Sequence, residues 1–150
     1  MTSINIENLL TKIKEETGCK FDVYPGIKGD ITIPIPSESL EVIVRVFLKD
    51  FDYCHLSAIT AQKREDKNDK IEVFYNFWLG QSLSLRVELT ERQMILASII
   101  SLIPGADFYE REAAEMFGIE FTGRVETPHL LLPDDWDQGP PFISGEVKSG

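Results

Sequence analysis

Cysteine is nearly absent from this 150-residue chain. Cys19 and Cys54 are its only two, too few and too far apart for a disulfide scaffold, and without the spacing of a zinc ribbon or an iron–sulfur loop. A reducing compartment is the simplest expectation. Basic residues are also in short supply, 15 against 25 acidic, for a net charge of −10 and a pI near 4.6. With no basic stripe to displace counterions, a nucleic-acid partner is excluded. The longest uncharged apolar run, 94–103, is about half of the roughly 20 residues that a membrane helix needs. The N-terminus alternates polar and apolar residues, unlike a signal peptide, so any membrane link is expected to run through a partner. There is no P-loop, no glycine-rich nucleotide turn and no G-x-S-x-G elbow, which removes the commonest phosphate-binding and serine-nucleophile chemistries. The two histidines, His55 and His129, stand without further ligands at metal-binding spacing.

What the chain does have is core-forming material. Hydrophobic residues make up 43% and aromatic residues 10%, enough for one domain with its own interior. Ile6, Leu9, Leu10 and Ile13 mark one helix face, closed by Gly18. Short strands are expected over 21–24 and 31–35. Ser37 is an expected N-cap for a second helix carrying Leu40, Ile43, Val44, Phe47 and Leu48. A meander follows: a strand over 55–61, a charged loop over 62–70, and a strand over 71–79. A two-residue Gly80-Gln81 turn then leads into the strictly alternating Leu83, Leu85, Val87 and Leu89. Thr90 and Gln93 have the spacing of a capping box, which predicts a helix with Leu96, Ile99, Ile100 and Ile103 on one face. Asp107 and Glu110 give a weaker box for a last helix with Tyr109, Ala113, Met116 and Phe117 inward, ending at Gly118. The expected fold is α+β: a two-layer domain, an antiparallel sheet against helices, over residues 1–122, with an extended partner-binding tail over 123–150.

Charge is concentrated at the C-terminal end. Between residues 107 and 138 there are nine acids against two bases, Arg111 and Arg124, which is −7 of the chain's −10. The acids alternate with Phe108, Tyr109, Met116, Phe117, the Leu130-Leu131-Leu132 run and Trp136. An acidic rim around apolar anchors suits docking to a basic partner, with charge steering the encounter and aromatics holding it. Glu112 and Glu115 lie i, i+3, a geometry in which a small hydrolase could place an acid–base pair. Solvated carboxylates on a helix face are far commoner than catalytic ones.

The same region resembles a known family. Tyr109-Glu110-Arg111-Glu112, followed by Met116-Phe117-Gly118-Ile119 and the aromatic Phe121, is similar to the signature of the thirty-kilodalton subunit of complex I (NADH-quinone oxidoreductase). Leu130-Leu131-Leu132-Pro133-Asp134-Asp135-Trp136 resembles the stretch that follows it, especially in homologues from energy-converting, membrane-bound NiFe hydrogenases. The strand at 56–61, the hairpin and the acid-capped helices come in the family's order. Two stretches depart from it. Arg124-Val125-Glu126-Thr127-Pro128-His129 stands where a His-Pro-Asp-Leu-Arg-like run is common. Gly139-Pro140-Pro141-Phe142-Ile143 replaces a basic segment after the tryptophan. Both shift the expectation from an NADH–quinone enzyme toward the hydrogenase type.

The resemblance implies a subunit without catalytic residues or cofactor of its own, peripheral, on the cytoplasmic side of the membrane. Its implied partners are a large subunit homologous to the quinone-site or nickel-site subunit, the iron–sulfur subunits and, indirectly, membrane subunits. Iron–sulfur clusters, and NiFe if present, would belong to those partners. The expected interface comprises Tyr109, Glu110, Arg111, Glu112, Met116 and Phe117 from the helix, with Leu130, Leu131, Leu132, Pro133, Asp134, Asp135 and Trp136 from the tail. NADH- or F420H2-linked enzymes of the same family are alternatives, and so, from another class, is a stand-alone acidic assembly factor or binding module.

Overall fold

The computed structural model describes residues 5–26, 29–64, 70–124 and 140–141. Expectations for residues 125–139, including Leu130–Trp136 and His129, lie outside the described residues.

Helix α1 (Ile6–Thr17) begins where the Asn5 side chain accepts from the Asn8 N–H at 3.1 Å. It buries Leu9 and Ile13, as their spacing predicts. Strands β1 (Tyr24–Pro25) and β2 (Ile31–Pro34) follow, the first much shorter than expected. The stretch Ser37–Ser39 is a 3-10 turn, so α2 (Leu40–Asp50) starts three residues after the expected cap at Ser37. Leu40, Ile43, Val44 and Phe47 are buried on α2, whereas Leu48 is exposed.

The meander forms as expected in order but not in extent. Strand β3 (His55–Arg64) and β4 (Lys70–Trp78) pair antiparallel as far as Arg64 opposite Lys70, so the strands reach well into the segment expected as a loop. The charged residues there fit a strand because they pair across it. Gln62 Nε2 donates to Glu72 Oε1 at 3.1 Å, and Arg64 and Arg86 meet Glu72 Oε2 at 3.3 and 2.9 Å. Between β4 and β5 (Ser82–Thr90), Trp78 pairs with Ser82, leaving a three-residue loop rather than two, with Gly80 at φ +86°. That φ suits glycine, which lacks a Cβ to clash. The sheet order is β1-β2-β5-β4-β3 and is antiparallel except for β2 alongside β5.

The helix expected after Thr90 does not form. Thr90 ends β5, the Gln93 N–H turns back to its carbonyl at 2.9 Å, and β6 (Ile95–Ala97) follows. The 96, 99, 100, 103 spacing is helical in pattern, but Leu96 is drawn into pairing with Phe121 of β7 (Glu120–Thr122). The Ile99 N–H goes to a side-chain carboxylate instead of to a backbone carbonyl one helical turn back. Turns carry the chain into α3 (Ala106–Phe117), and β6-α3-β7 is a parallel β–α–β unit, the connection that two parallel strands require.

Helix α2 packs on β4, α3 packs along β3 and α1 packs against α2, giving the α+β architecture expected. The core includes Phe47 of α2 edge-on to Phe77 of β4 at 5.2 Å, with Tyr75, Leu83, Leu85, Leu96 and Ile119 fully or almost fully buried.

Candidate functional site

Helix α3 is organised around a buried carboxylate. Its inner positions are Ala106, Glu110 and Ala113, spaced i, i+4, i+7 on one stripe. Glu110 has no exposed surface. A carboxylate can occupy such a position only if its lone pairs are taken up. Ser98 Oγ donates to Oε1 at 2.6 Å, Arg124 Nη1 donates to Oε1 at 3.0 Å, and the Ile99 N–H donates to Oε2 at 2.8 Å. Arg124 also pairs through Nη2 with Asp107, one turn earlier on α3, and Asp107 lies 3.9 Å from Arg111. Three segments therefore meet on two side chains: the Ser98-Ile99 turn directly after β6, α3 and the residue two past β7. Arg124, which the sequence assigns to the tail, is almost wholly covered and holds that end of the chain against α3.

Tyr75 of β4 lies under this cluster. Its ring is fully buried, and its hydroxyl has no hydrogen-bond partner among the described residues. Burial pushes the phenol well above the usual tyrosine range, and the nearby Glu110 charge adds to the shift. At the far end of α3, Gly118 caps the helix at φ +74°, its N–H donating to the Ala114 carbonyl at 3.0 Å. This is the left-handed end that its position predicts.

The remaining face of α3 is apolar and acidic. Phe108 is about half exposed and stacks edge-on with the half-buried Tyr109 at 5.9 Å. Met116 and Phe117 are half-buried and, with Glu112, Ile59 and Ala61, line a groove of about 410 Å³ between α3 and β3. Tyr109, Arg111, Glu112, Met116 and Phe117 thus reach the surface at least in part. Glu110, expected with them, faces inward. In the groove Glu112 lies among Ile59, Ala61, Met116 and Phe117, and among the described lining residues the other polar side chain is Thr60, so no nucleophile–histidine pair stands beside it. No group of three or more potential metal ligands occurs among the described residues. His55 is exposed at the start of β3, and burial pushes the Cys54 thiol up to about 11. Ser98 and Tyr75 were not singled out by sequence reasoning, and Arg124 stood out only as a base in an acidic stretch and as the start of a departure from the family pattern. The available signal was Glu110 itself, a charged residue on the 106, 110, 113 stripe, which requires a buried partner.

The sequence profile of the family described as "Respiratory-chain NADH dehydrogenase, 30 Kd subunit" matches residues 33–144. The chain belongs to that family. The C subunit of the NADH-quinone oxidoreductase from Roseiflexus castenholzii is 31% identical over 119 residues, covering 75% of this chain and 68% of the relative. Its counterpart in Citrifermentans bemidjiense is 27% identical over 130 residues, covering 85% and 81%. Among solved structures, a trypsin-resistant fragment of Nqo5 superposes with a TM-score of 0.66 at 19% identity, covering 83% of this chain and all of the fragment. A chain of the membrane-bound sulfane sulfur reductase, an archaeal respiratory membrane complex, superposes with a TM-score of 0.73 at 17% identity, covering 95% and 85%. At those identities the structures establish a shared fold. The thirty-kilodalton signature quoted above falls on α3 and β7. Within it, Glu110 supplies the buried acceptor, Gly118 the left-handed turn, and Ile119 and Phe121 apolar anchors in the core. Among the described residues no helix is long and apolar enough to cross a membrane.

Proposed function

We propose that this chain is a non-catalytic subunit of the peripheral arm of a complex I-like, membrane-bound oxidoreductase. In this reading it sits on the cytoplasmic side and packs against the large subunit that carries the quinone or nickel site. The observation that carries the reading is the construction of α3. Its one buried acid is fully engaged in holding the helix to β6 and to Arg124. Its outer residues offer half-exposed aromatics and methionine beside unburied acids. A rigid helix of that kind is suited to presenting a surface, with apolar anchors for affinity and carboxylates for steering. Tyr109, Arg111, Glu112, Met116 and Phe117 form the helix part of the interface, with Glu110 setting the helix from within. Leu130, Leu131, Leu132, Pro133, Asp134, Asp135 and Trp136 form the tail part. The iron–sulfur subunits lie adjacent and the membrane subunits are reached indirectly. Clusters, and a nickel–iron centre where present, reside in those partners, and this chain holds no cofactor.

Within this frame the energy-converting hydrogenase type is favoured by the residues that follow Gly123 and Trp136, where a His-Pro-Asp-Leu-Arg-like run and a basic segment of the NADH–quinone pattern are replaced. The NADH–quinone type is favoured by the curated relatives, which bear that name. The discriminating test is reconstitution with the co-encoded large subunit. Trp136→Ala should weaken assembly by roughly 2 kcal/mol, the size of an interface hot spot, while the isolated chain keeps its fold. Normal assembly of the variant, together with equal proteolysis beyond residue 124 with and without the large subunit, would remove the tail from the interface. A large subunit with terminal CxxC pairs, encoded beside this chain, would select the hydrogenase type.

A further inference from the structure

The two edges of the five-stranded sheet are built differently. The edge at β1 is two residues long and one of them is Pro25, a short, proline-bearing edge of the kind that discourages further pairing. The edge at β3 is ten residues long, and among the described residues no strand pairs on its outer side. Apart from an irregularity between Leu56 and Ala58, its stretch 56–62 (Leu-Ser-Ala-Ile-Thr-Ala-Gln) carries neither charge nor proline. Such an edge presents a row of backbone donors and acceptors with little to keep another strand away. Beside it runs the groove of about 410 Å³ floored by Ile59, Ala61, Met116 and Phe117, with Glu112 in its lining. Among the described residues Glu112 makes no ion pair.

We propose that the outer edge of β3 and the α3 groove together receive an extended segment of a partner subunit, which adds a sixth strand to the sheet. The required chemistry follows from the surface. Backbone pairing with 56–62 supplies affinity that does not depend on side-chain identity, and apolar side chains at alternate positions of the added strand enter the groove. A lysine or arginine on it faces Glu112, the charge complement of an acidic chain. This rests on the proposed role as a complex subunit and names where, on the described domain, one contact is made.

The test is site-resolved amide hydrogen exchange on the full chain, alone and within the purified complex. Strand addition engages alternate N–H groups, so alternate amides within 56–62 should slow by about 100-fold or more on assembly, as for hydrogen bonds that open only with partner release. Amides of β4, already paired on both sides, should change little. Glu112→Lys should reduce the assembled fraction at least tenfold at limiting partner concentration, about the factor that 1.4 kcal/mol represents. A complex that assembles in full with 56–62 exchanging as in the free chain overturns the inference and leaves the subunit role standing. Failure of any complex to form overturns both. Protection already present in dilute free chain assigns the edge to this chain's own residues. Protection appearing only in concentrated free chain assigns it to a second copy. Either of these also overturns the proposal. Unimpaired assembly of Glu112→Lys overturns the requirement for a basic residue in the segment.

Discussion

Replacing Glu110 tests whether the buried carboxylate holds β6, α3 and Arg124 together. Its two oxygens accept three hydrogen bonds, from Ser98, Arg124 and the Ile99 N–H, in a site with no exposed surface. Glu110→Ala strands the N–H of the fully buried Ile99, a cost of about 1–3 kcal/mol. It also removes one of the two acids on Arg124, whose side chain is 10% exposed. Breaking a buried pair costs about 3–5 kcal/mol when the remaining charge is left alone. Here Arg124 keeps Asp107, which is half exposed, so the total should fall near about 3 kcal/mol rather than at the top of the combined range. Glu110→Gln retains a carbonyl for one donor and should cost about half as much. In urea, with a slope of about 1.5 kcal/mol per molar, the alanine variant should lower the midpoint by about 2 M and the glutamine variant by about 1 M. A domain with a typical stability of about 5–15 kcal/mol survives this loss. The assay is equilibrium unfolding followed by tryptophan fluorescence and circular dichroism. A midpoint within about 0.3 M of the parent for Glu110→Ala would refute the claim that this carboxylate organises α3.

Three further outcomes follow from the interior. Tyr75→Phe removes a buried hydroxyl that has no partner among the described residues, and should leave stability unchanged or raise it by up to about 1 kcal/mol. The folded phenol is raised above the unfolded value of about 10. The stability tied to its proton is therefore complete below about pH 10 and lost as pH rises, at up to about 1.4 kcal/mol per unit, and Tyr75→Phe should flatten the alkaline limb of a pH–stability curve. A thiol reagent at pH 8 should modify the exposed Cys19 promptly and Cys54 slowly, because Cys54 is partly buried with its thiol pushed up to about 11; equal rates by mass spectrometry would contradict that environment. Gly118→Ala, at φ +74°, should destabilise by about 1 kcal/mol through left-handed strain, read as a lower melting temperature.

Much of the domain was legible because its periodicity agrees with its packing. The 6, 9, 10, 13 stripe of α1, the alternation of β5 and the glycine at the end of α3 each appear where the pattern places them. The misread helix after Thr90 shows the limit of such patterns. Leu96, Ile99, Ile100 and Ile103 satisfy a helical spacing, yet a distant strand at 120–122 and the Glu110 carboxylate compete for the backbone between them. Local spacing cannot report a partner that arrives from more than ten residues away. The two ends of the charged segment after Ala61 belong to strands for a related reason. At the ends of that segment the charges pair across strands, Arg64 with Glu72, Lys63 with Glu91 and Lys70 with Glu88, so they stabilise a sheet face instead of dissolving it into a loop. At the candidate site the acidic–apolar composition of α3 was visible, but which glutamate turned inward was decided by Arg124 and by the backbone of Ile99, and neither neighbours it in sequence.

The central claim is that this chain works as a docking subunit and not as an independent catalyst or free-standing factor. The most direct measurement is affinity purification of the tagged full-length chain from gently solubilised native membranes, with subunit stoichiometry determined by quantitative mass spectrometry. The account predicts recovery at one-to-one stoichiometry with a large subunit of the quinone- or nickel-site type, accompanied by iron–sulfur subunits whose bound iron is absent from this chain purified alone. Recovery of a folded chain without the large subunit, from membranes in which that subunit is present and intact, would contradict it.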